Sequence, residues 1–137
     1  MNRSELQALS RIRAREAQAL LDLGLYDGAY YLAGYAVECA LKACIAKETK
    51  RYEFPDKRRA DSSYTHSLVD LVRITNLDAS RQELARSDLE FDRNWDTVKS
   101  WSEQSRYRRH SSEEGQELVQ AVCNRRHGVI AWIKQHW

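Results

Sequence analysis

The sequence predicts an all-α fold, an antiparallel helical bundle forming a single domain over residues 1–137, and three observations carry that prediction. The 137-residue chain holds one proline and five glycines against abundant Ala, Leu, Arg, Glu and Gln, a composition that favours helices. The stretch 27–50, DGAYYLAGYAVECALKACIAKETK, is apolar or small over nearly its whole circumference at helical spacing. Stripes of helical period flank it on both sides, so a central helix has neighbours to bury it. A chain of this length can enclose a self-sufficient core.

The first helix opens at Asn2, which with Glu5 three residues later makes a capping box. Leu9, Ile12, Ala19, Leu20 and Leu23 form its expected inward stripe, while Arg11, Arg13, Arg15 and Glu16 mostly solvate the rest. Gly24 stops that helix, and the short turn 24–27 makes the first two helices antiparallel neighbours. Asp27 is the expected N-cap of the central helix. There Tyr30, Ala33, Gly34, Val37, Leu41, Cys44 and Ile45 share a face that Ala29, Leu32, Ala36, Ala40 and Ala43 widen. Only the line Tyr31, Tyr35, Glu38, Lys42 stays polar or half-polar, and Glu38 and Lys42 form an i,i+4 pair in the favourable order.

Residues 51–64 contain the proline and the run Lys57-Arg58-Arg59, show no apolar period and read as a loop. A short extra helix starts at Thr65 or Ser67, turns Leu68, Leu71 and Val72 inward and breaks at Asn76 and Asp78. A further helix puts Leu84, Phe91, Trp95 and Val98 on one line, with Asp88 interrupting it and Trp101 just beyond. The segment 102–112, SEQSRYRRHSS, is polar, basic and aperiodic, and reads as a loop. Ser111 or Ser112 caps the last helix, with Glu113 and Glu114 in its first turn. Val119, Val122, Cys123, Ile130, Ile133 and Trp137 then share one stripe, on which Arg126 is misplaced unless a carboxylate meets it.

The net charge of +2 excludes attraction to nucleic acid or an anionic membrane by bulk field alone. Cys39, Cys44 and Cys123 lie in apolar helical patterns without ligand spacing and read as reduced core residues. No run of about 18 apolar residues and no signal peptide stand in the sequence, so a soluble, cytoplasmic protein is expected. No His/Cys/carboxylate set has metal spacing and no glycine loop could cradle a phosphate, so neither metal nor cofactor is expected.

The run AYYLAGYAVECALKACIA at 29–46, then Thr65-His66-Ser67-Leu68, then Trp101 and Arg106-Tyr107, resembles the HEPN domain family. The resemblance runs from Asp27 to the C-terminus and is most specific in LAGYAVECALKA. It implies a four-helix bundle, here antiparallel and up-down with the short extra helix, that commonly forms a homodimer. It also implies a gene neighbour encoding a minimal nucleotidyltransferase, and a role in toxin–antitoxin, defence or RNA-processing systems. The family's ribonucleases carry Arg, four to six residues, then His, with Arg orienting phosphate and His moving a proton. Arg106 and His110 have only three residues between them, and Arg93-Asn94 meets Val98, Lys99 and Ser100 where His would stand. Arg59 and His66 have the count but precede the third helix, where the motif does not belong. The departure favours a non-catalytic protein that binds nucleotide, RNA or a partner; the alternative is a metal-independent ribonuclease toxin using Arg106 and His110 across a homodimer.

The candidate binding segment is Arg106, Tyr107, Arg108, Arg109 and His110, where cations can grip phosphates and a tyrosine can stack a base. If it were helical, Arg106 and His110 would be i,i+4 neighbours. Tyr31, Tyr35, Glu38 and Lys42 could line a groove; as bundle residues, the tyrosines are half-buried and Glu38 partners Arg126 or Arg106. His66 helps start a helix, and His127 and His136 carry no constellation. Trp95, Trp101, Trp132 and Trp137 exceed the indole a small bundle needs inside, which places some of them at a two-fold interface.

Overall fold

Helix-forming composition and a paucity of proline give helices throughout. The computed structural model describes residues 1–51 and 57–137, with side chains in 1–49 and 60–137. All regular structure among the described residues is helical: α1 (Arg3–Asp22), α2 (Tyr26–Arg51), α3 (Lys57–Ser62), α4 (Leu68–Ile74), α5 (Asp78–Ser87), α6 (Leu89–Lys99), a 3-10 turn (Glu103–Tyr107), α7 (Ser112–Cys123) and α8 (Val129–Ile133).

The helix α2 is central because it has no wide polar face. Between Ala33 and Ile45 only Tyr35 and Lys42 keep part of their surface, and Ala33, Ala36, Val37, Ala40, Leu41 and Ala43 keep none. The helices α1, α4, α7 and α8 and the 3-10 turn all pack on it, α1 most extensively. Small side chains set how closely they approach. On Gly34 lies the Trp101 ring, in the space a Cβ would need.

The first helix begins as its caps dictate: the Asn2 side chain accepts the Glu5 N–H at 2.9 Å and Glu5 returns the bond to the Asn2 N–H. It ends where Gly24 takes φ +76°. Its inner face differs from the expected stripe. Ser10 and Ala17 are the buried residues, with Leu6, Ala14, Leu20 and Leu21 partly covered, whereas Ile12 and Leu23 are 38% and 73% exposed and Ala19 faces solvent. Close packing on the alanine face of α2 selects small groups, and the Ser10 hydroxyl donates to the Ala36 carbonyl at 2.8 Å. Asp27 is not an N-cap either: α2 starts at Tyr26, and the Asp27 carboxylate accepts the N–H of His110 instead.

The expected loop at 51–64 lies partly outside the described residues, but 57–62 is helix α3, in which the Lys57-Arg58-Arg59 backbone sits. Lys, Arg and Ala have high intrinsic helix propensity and need no apolar stripe for so short a helix. The short helix α4 is as expected, capped by the Ser67 hydroxyl and broken after Thr75 by Asn76 at φ +59°. The next helix is two: Asp88 ends α5 and caps α6 by accepting the Phe91 N–H at 3.0 Å. The last helix is also split. The Asn124 side chain accepts the N–H groups of Arg126 and His127, turning the chain between α7 and α8 and sending Arg126 to solvent. That exposure removes the misplacement of Arg126. All four tryptophans are covered (Trp95 4%, Trp101 2%, Trp132 2%, Trp137 9%), so the fold itself consumes the indoles expected at an interface. Phe91 and Trp95 pack their rings on Trp132, at centroid distances of 5.4 and 6.4 Å.

A charged pair fixes the α7–α8 turn to α6. His127 Nδ1 lies 2.7 Å from the Asp88 carboxylate and Nε2 lies 3.3 Å from Glu90, while Asn94 donates to the His127 carbonyl at 2.9 Å. The hydrogen bond to His127, and next the Phe91 N–H, hold Asp88 below its ordinary 3.8. The same bond, chiefly, holds His127 above its ordinary 6.5.

Two stability predictions result. Gly34→Ala should cost about 1–3 kcal/mol by forcing Trp101 off α2, and Leu41→Ala about 2–5 kcal/mol by leaving a cavity. Denaturant unfolding with tryptophan emission reads both; an unchanged midpoint for Gly34→Ala would show that the indole is not seated on the glycine. The second prediction concerns pH. The raised His127 value contributes stability that is complete below 6.5 and fades as pH rises through the folded value. The lowered Asp88 value contributes stability present above 3.8 and lost as pH falls. The Tm gap between wild type and His127→Gln should therefore be widest between those values and shrink on either side. A gap that stays constant from about pH 5 to about pH 8 contradicts the pairing.

Candidate functional site

The polar, basic segment after Trp101 is shaped by what it must cover. Trp101 and Ser105 are buried at 2% and 4% exposure, so the 3-10 turn is pinned by its inner residues and presents the rest. Arg108 at φ −115°, ψ 154° is extended, and Ser111 then caps α7 by accepting the Glu114 N–H at 3.1 Å. The segment is thus a tight turn followed by an extended stretch rather than a featureless loop. It is not an α-helix, so Arg106 and His110 do not occupy i,i+4 positions on one face.

Three arginines and a tyrosine point outward. Arg106, Tyr107, Arg108 and Arg109 are exposed, Tyr107 at 74%, and the Arg106 guanidinium lies 5.1 Å from the Tyr107 ring centroid. None of the three arginines pairs with a carboxylate among the described residues. The start of α7 follows directly, and the first turn of α2 is joined to the segment through Asp27, so the positive ends of two helices lie beside these cations.

His110 serves the structure. Its ring stacks on Tyr30 with centroids 3.8 Å apart, and its side chain is 6% exposed. Nδ1 lies 3.2 Å from Glu114 Oε2 and Nε2 lies 3.3 Å from the Ser105 carbonyl, so both nitrogens are engaged. The hydrogen bond with His110 leads the effects that hold Glu114 below the usual carboxylate range. Burial first, then Glu114, raises Tyr30, against a smaller opposing effect of Arg108.

The line Tyr31, Tyr35, Glu38, Lys42 lies beside this segment. Tyr31 and Tyr35 are half-buried and parallel at 6.1 Å, and Tyr31 stacks on Trp101 at 5.9 Å. Burial first, then the Cys39 thiol, raises Tyr35, and burial pushes Cys39 itself up to about 11. Glu38 is 2% exposed and partners neither Arg126 nor Arg106. Its Oε1 takes the Lys42 ammonium at 2.9 Å and His66 Nδ1 at 2.8 Å, while Oε2 has no hydrogen-bond partner among the described residues. Across the ring, His66 Nε2 lies 3.3 Å from Glu103 Oε2.

The contact of His66 with Glu38 and Glu103 is one that sequence reasoning missed. One signal existed: a lone carboxylate on an apolar helix requires a cation from elsewhere. Nothing in the sequence said which of many cations it would be. The Asp88–His127 pair was missed for the same reason.

Between α6 and α7 lies a polar groove of about 300 Å³, bordered by Arg93, Asn94, Gln120 and Asn124 with Glu90 and Glu117. Among the described residues no group of His, Cys, Asp and Glu could hold a metal ion, and no helix is long and apolar enough to cross a membrane. Cys39, Cys44 and Cys123 are free thiols.

Comparison with known proteins adds one match. No curated protein and no solved structure matches the chain. The family model for the HEPN domain matches residues 7–136, nearly the full 137, and carries with it a nucleotide-, RNA- or toxin-related setting. With its helical architecture and that match, the chain belongs to the HEPN domain family.

Proposed function

We propose that this HEPN protein is a non-catalytic binding module that holds the phosphates of single-stranded RNA or a nucleotide on the segment Arg106–Arg109. The observation that carries the reading is the group of three exposed arginines, unpaired among the described residues, beside an exposed Tyr107 and set against two helix N-termini. An arginine fork binds phosphate oxygens in pairs and keeps its charge at any physiological pH, and a free tyrosine ring stacks any base. In this reading α1, α2, the α5–α6 pair and α7 are the members of an up-down four-helix bundle, with α4 the extra helix. A homodimer with a minimal nucleotidyltransferase partner, acting in the cytoplasm within a toxin–antitoxin or defence module, completes it.

The ribonuclease alternative draws no support from the geometry. A proton-transferring histidine needs a nitrogen facing substrate, and both of those on His110 are occupied beneath Tyr30.

Binding by several phosphate contacts should weaken steeply with salt. Arg106→Ala and Arg108→Ala should each lower affinity for a single-stranded oligoribonucleotide and flatten the logarithmic salt slope by about 0.7 per lost contact. Tyr107→Ala should lower affinity without changing that slope, because stacking is uncharged. Fluorescence anisotropy across a salt series measures all three; equal affinity in wild type and variants removes the segment from binding. Incubation of the same RNA with wild type should leave it intact, and cleavage lost in His110→Gln would install the ribonuclease reading. Sedimentation at micromolar concentration should report a dimer, and a clean monomer would end the homodimer part of the proposal.

A further inference from the structure

His66 stands between two carboxylates, and its ring cannot satisfy both in every protonation state. Nδ1 is 2.8 Å from Glu38 Oε1 and Nε2 is 3.3 Å from Glu103 Oε2. A neutral imidazole carries one N–H, so it donates to one acceptor and turns a lone pair toward the other. The imidazolium has an N–H for each, hydrogen-bonding Glu38 and lying at ion-pair distance from Glu103. The two ends differ in what they cost to release. Glu38 is on α2 with its side chain 3% exposed, and unpairing its buried carboxylate is expensive; Glu103 is 35% exposed and water can take over its oxygens. Among the described residues the charged groups facing the ring are Glu38 and Lys42 from α2 and Glu103 from the 3-10 turn, Lys42 sharing the same Glu38 oxygen at 2.9 Å.

Glu103 is the first residue of the 3-10 turn that ends in Arg106 and Tyr107. Among the described residues the buried Ser105 hydroxyl inside that turn and the Trp101 indole N–H just before it have no hydrogen-bond partner, and the turn's backbone is met by His110 Nε2, 3.3 Å from the Ser105 carbonyl. The His66–Glu103 contact, an ion pair whenever the imidazole is protonated, ties it to the residue just before the Ser67 cap of α4.

We infer that His66 is a proton-operated clasp: as the imidazolium it holds Glu103 and fixes the 3-10 turn that presents Arg106 and Tyr107, and on losing its Nε2 proton it keeps Glu38 and releases Glu103. His66 and Glu103 are positioning residues, since neither is among the groups assigned to the ligand. Their consequence for binding rests on the phosphate-binding reading; the clasp itself does not.

The experiment is a pH titration of the wild-type chain by NMR. Long-range proton–nitrogen spectra follow both ring nitrogens of His66, and backbone spectra follow the amides of Glu103 to Arg108. Those amides should shift with the midpoint of the His66 ring, and the shared transition should vanish in His66→Gln and in Glu103→Gln while that of His127 remains. Oligoribonucleotide affinity should fall roughly two- to fivefold more across that midpoint in wild type than in Glu103→Gln, the scale of an exposed ion pair. Amides that ignore the His66 transition, or a ring whose Nε2 never carries a proton while Glu103 stays in place, would overturn the clasp. Amides that follow His66 in a protein that binds no RNA at any pH would uphold the clasp and remove the phosphate-binding reading.

Discussion

Glu38 is a carboxylate inside the bundle, and much of the structure answers to it. An ionised carboxylate taken out of water must find cations and donors or give up its charge. Lys42 supplies one from the next turn of the same helix, at no cost in topology. His66 supplies a hydrogen-bond partner at 2.8 Å, from just before α4, and so fixes where the chain returns to α2 after α3. Through the other ring nitrogen the same histidine reaches Glu103, so one buried charge sets α2, α4 and the 3-10 turn in mutual register.

Around that charge the packing is governed by size. The Trp101 ring occupies the space over Gly34, which is what lets the 3-10 turn sit against α2. The first helix meets α2 through Ser10 and Ala17, not through its larger apolar residues. Close approach favours small side chains, because a leucine at the contact would hold the backbones apart. Ile12 and Leu23 are consequently left outside, as an outcome of the contact α1 makes elsewhere.

The basic segment illustrates how chemistry-bearing residues divide between structural and free roles. His110, the residue most suggestive of catalysis, is stacked, has an oxygen acceptor beside each ring nitrogen and is tied by its amide to Asp27. Those attachments give the exposed arginines a defined place. A cation available to a ligand is one that no internal carboxylate has taken, and among the described residues Arg106, Arg108 and Arg109 meet that condition where Arg13 and Arg81 do not.

The sequence by itself determined the helical class, the centrality of α2, the capping box at Asn2, the stop at Gly24, a short helix starting at Thr65 or Ser67 and the HEPN membership visible in LAGYAVECALKA. These are local matters of period, propensity and caps, which neighbouring residues settle among themselves. It also marked the polar line Tyr31, Tyr35, Glu38, Lys42 on α2, and Arg106 to Arg109 as a basic run. Only the tertiary structure decided which face of α1 turns inward, that Asn124 and Asp88 divide helices whose periodicity runs on, that His66 rather than an arginine meets Glu38, and that every tryptophan is used inside. Each of these depends on partners 20 or more residues apart or on a competition between a side-chain cap and a continuing helix. The physical reason is common to them: hydrophobic period is shared by a helix and its interruption, and a buried charge accepts any cation that geometry delivers, so sequence states the requirement and the fold selects the partner.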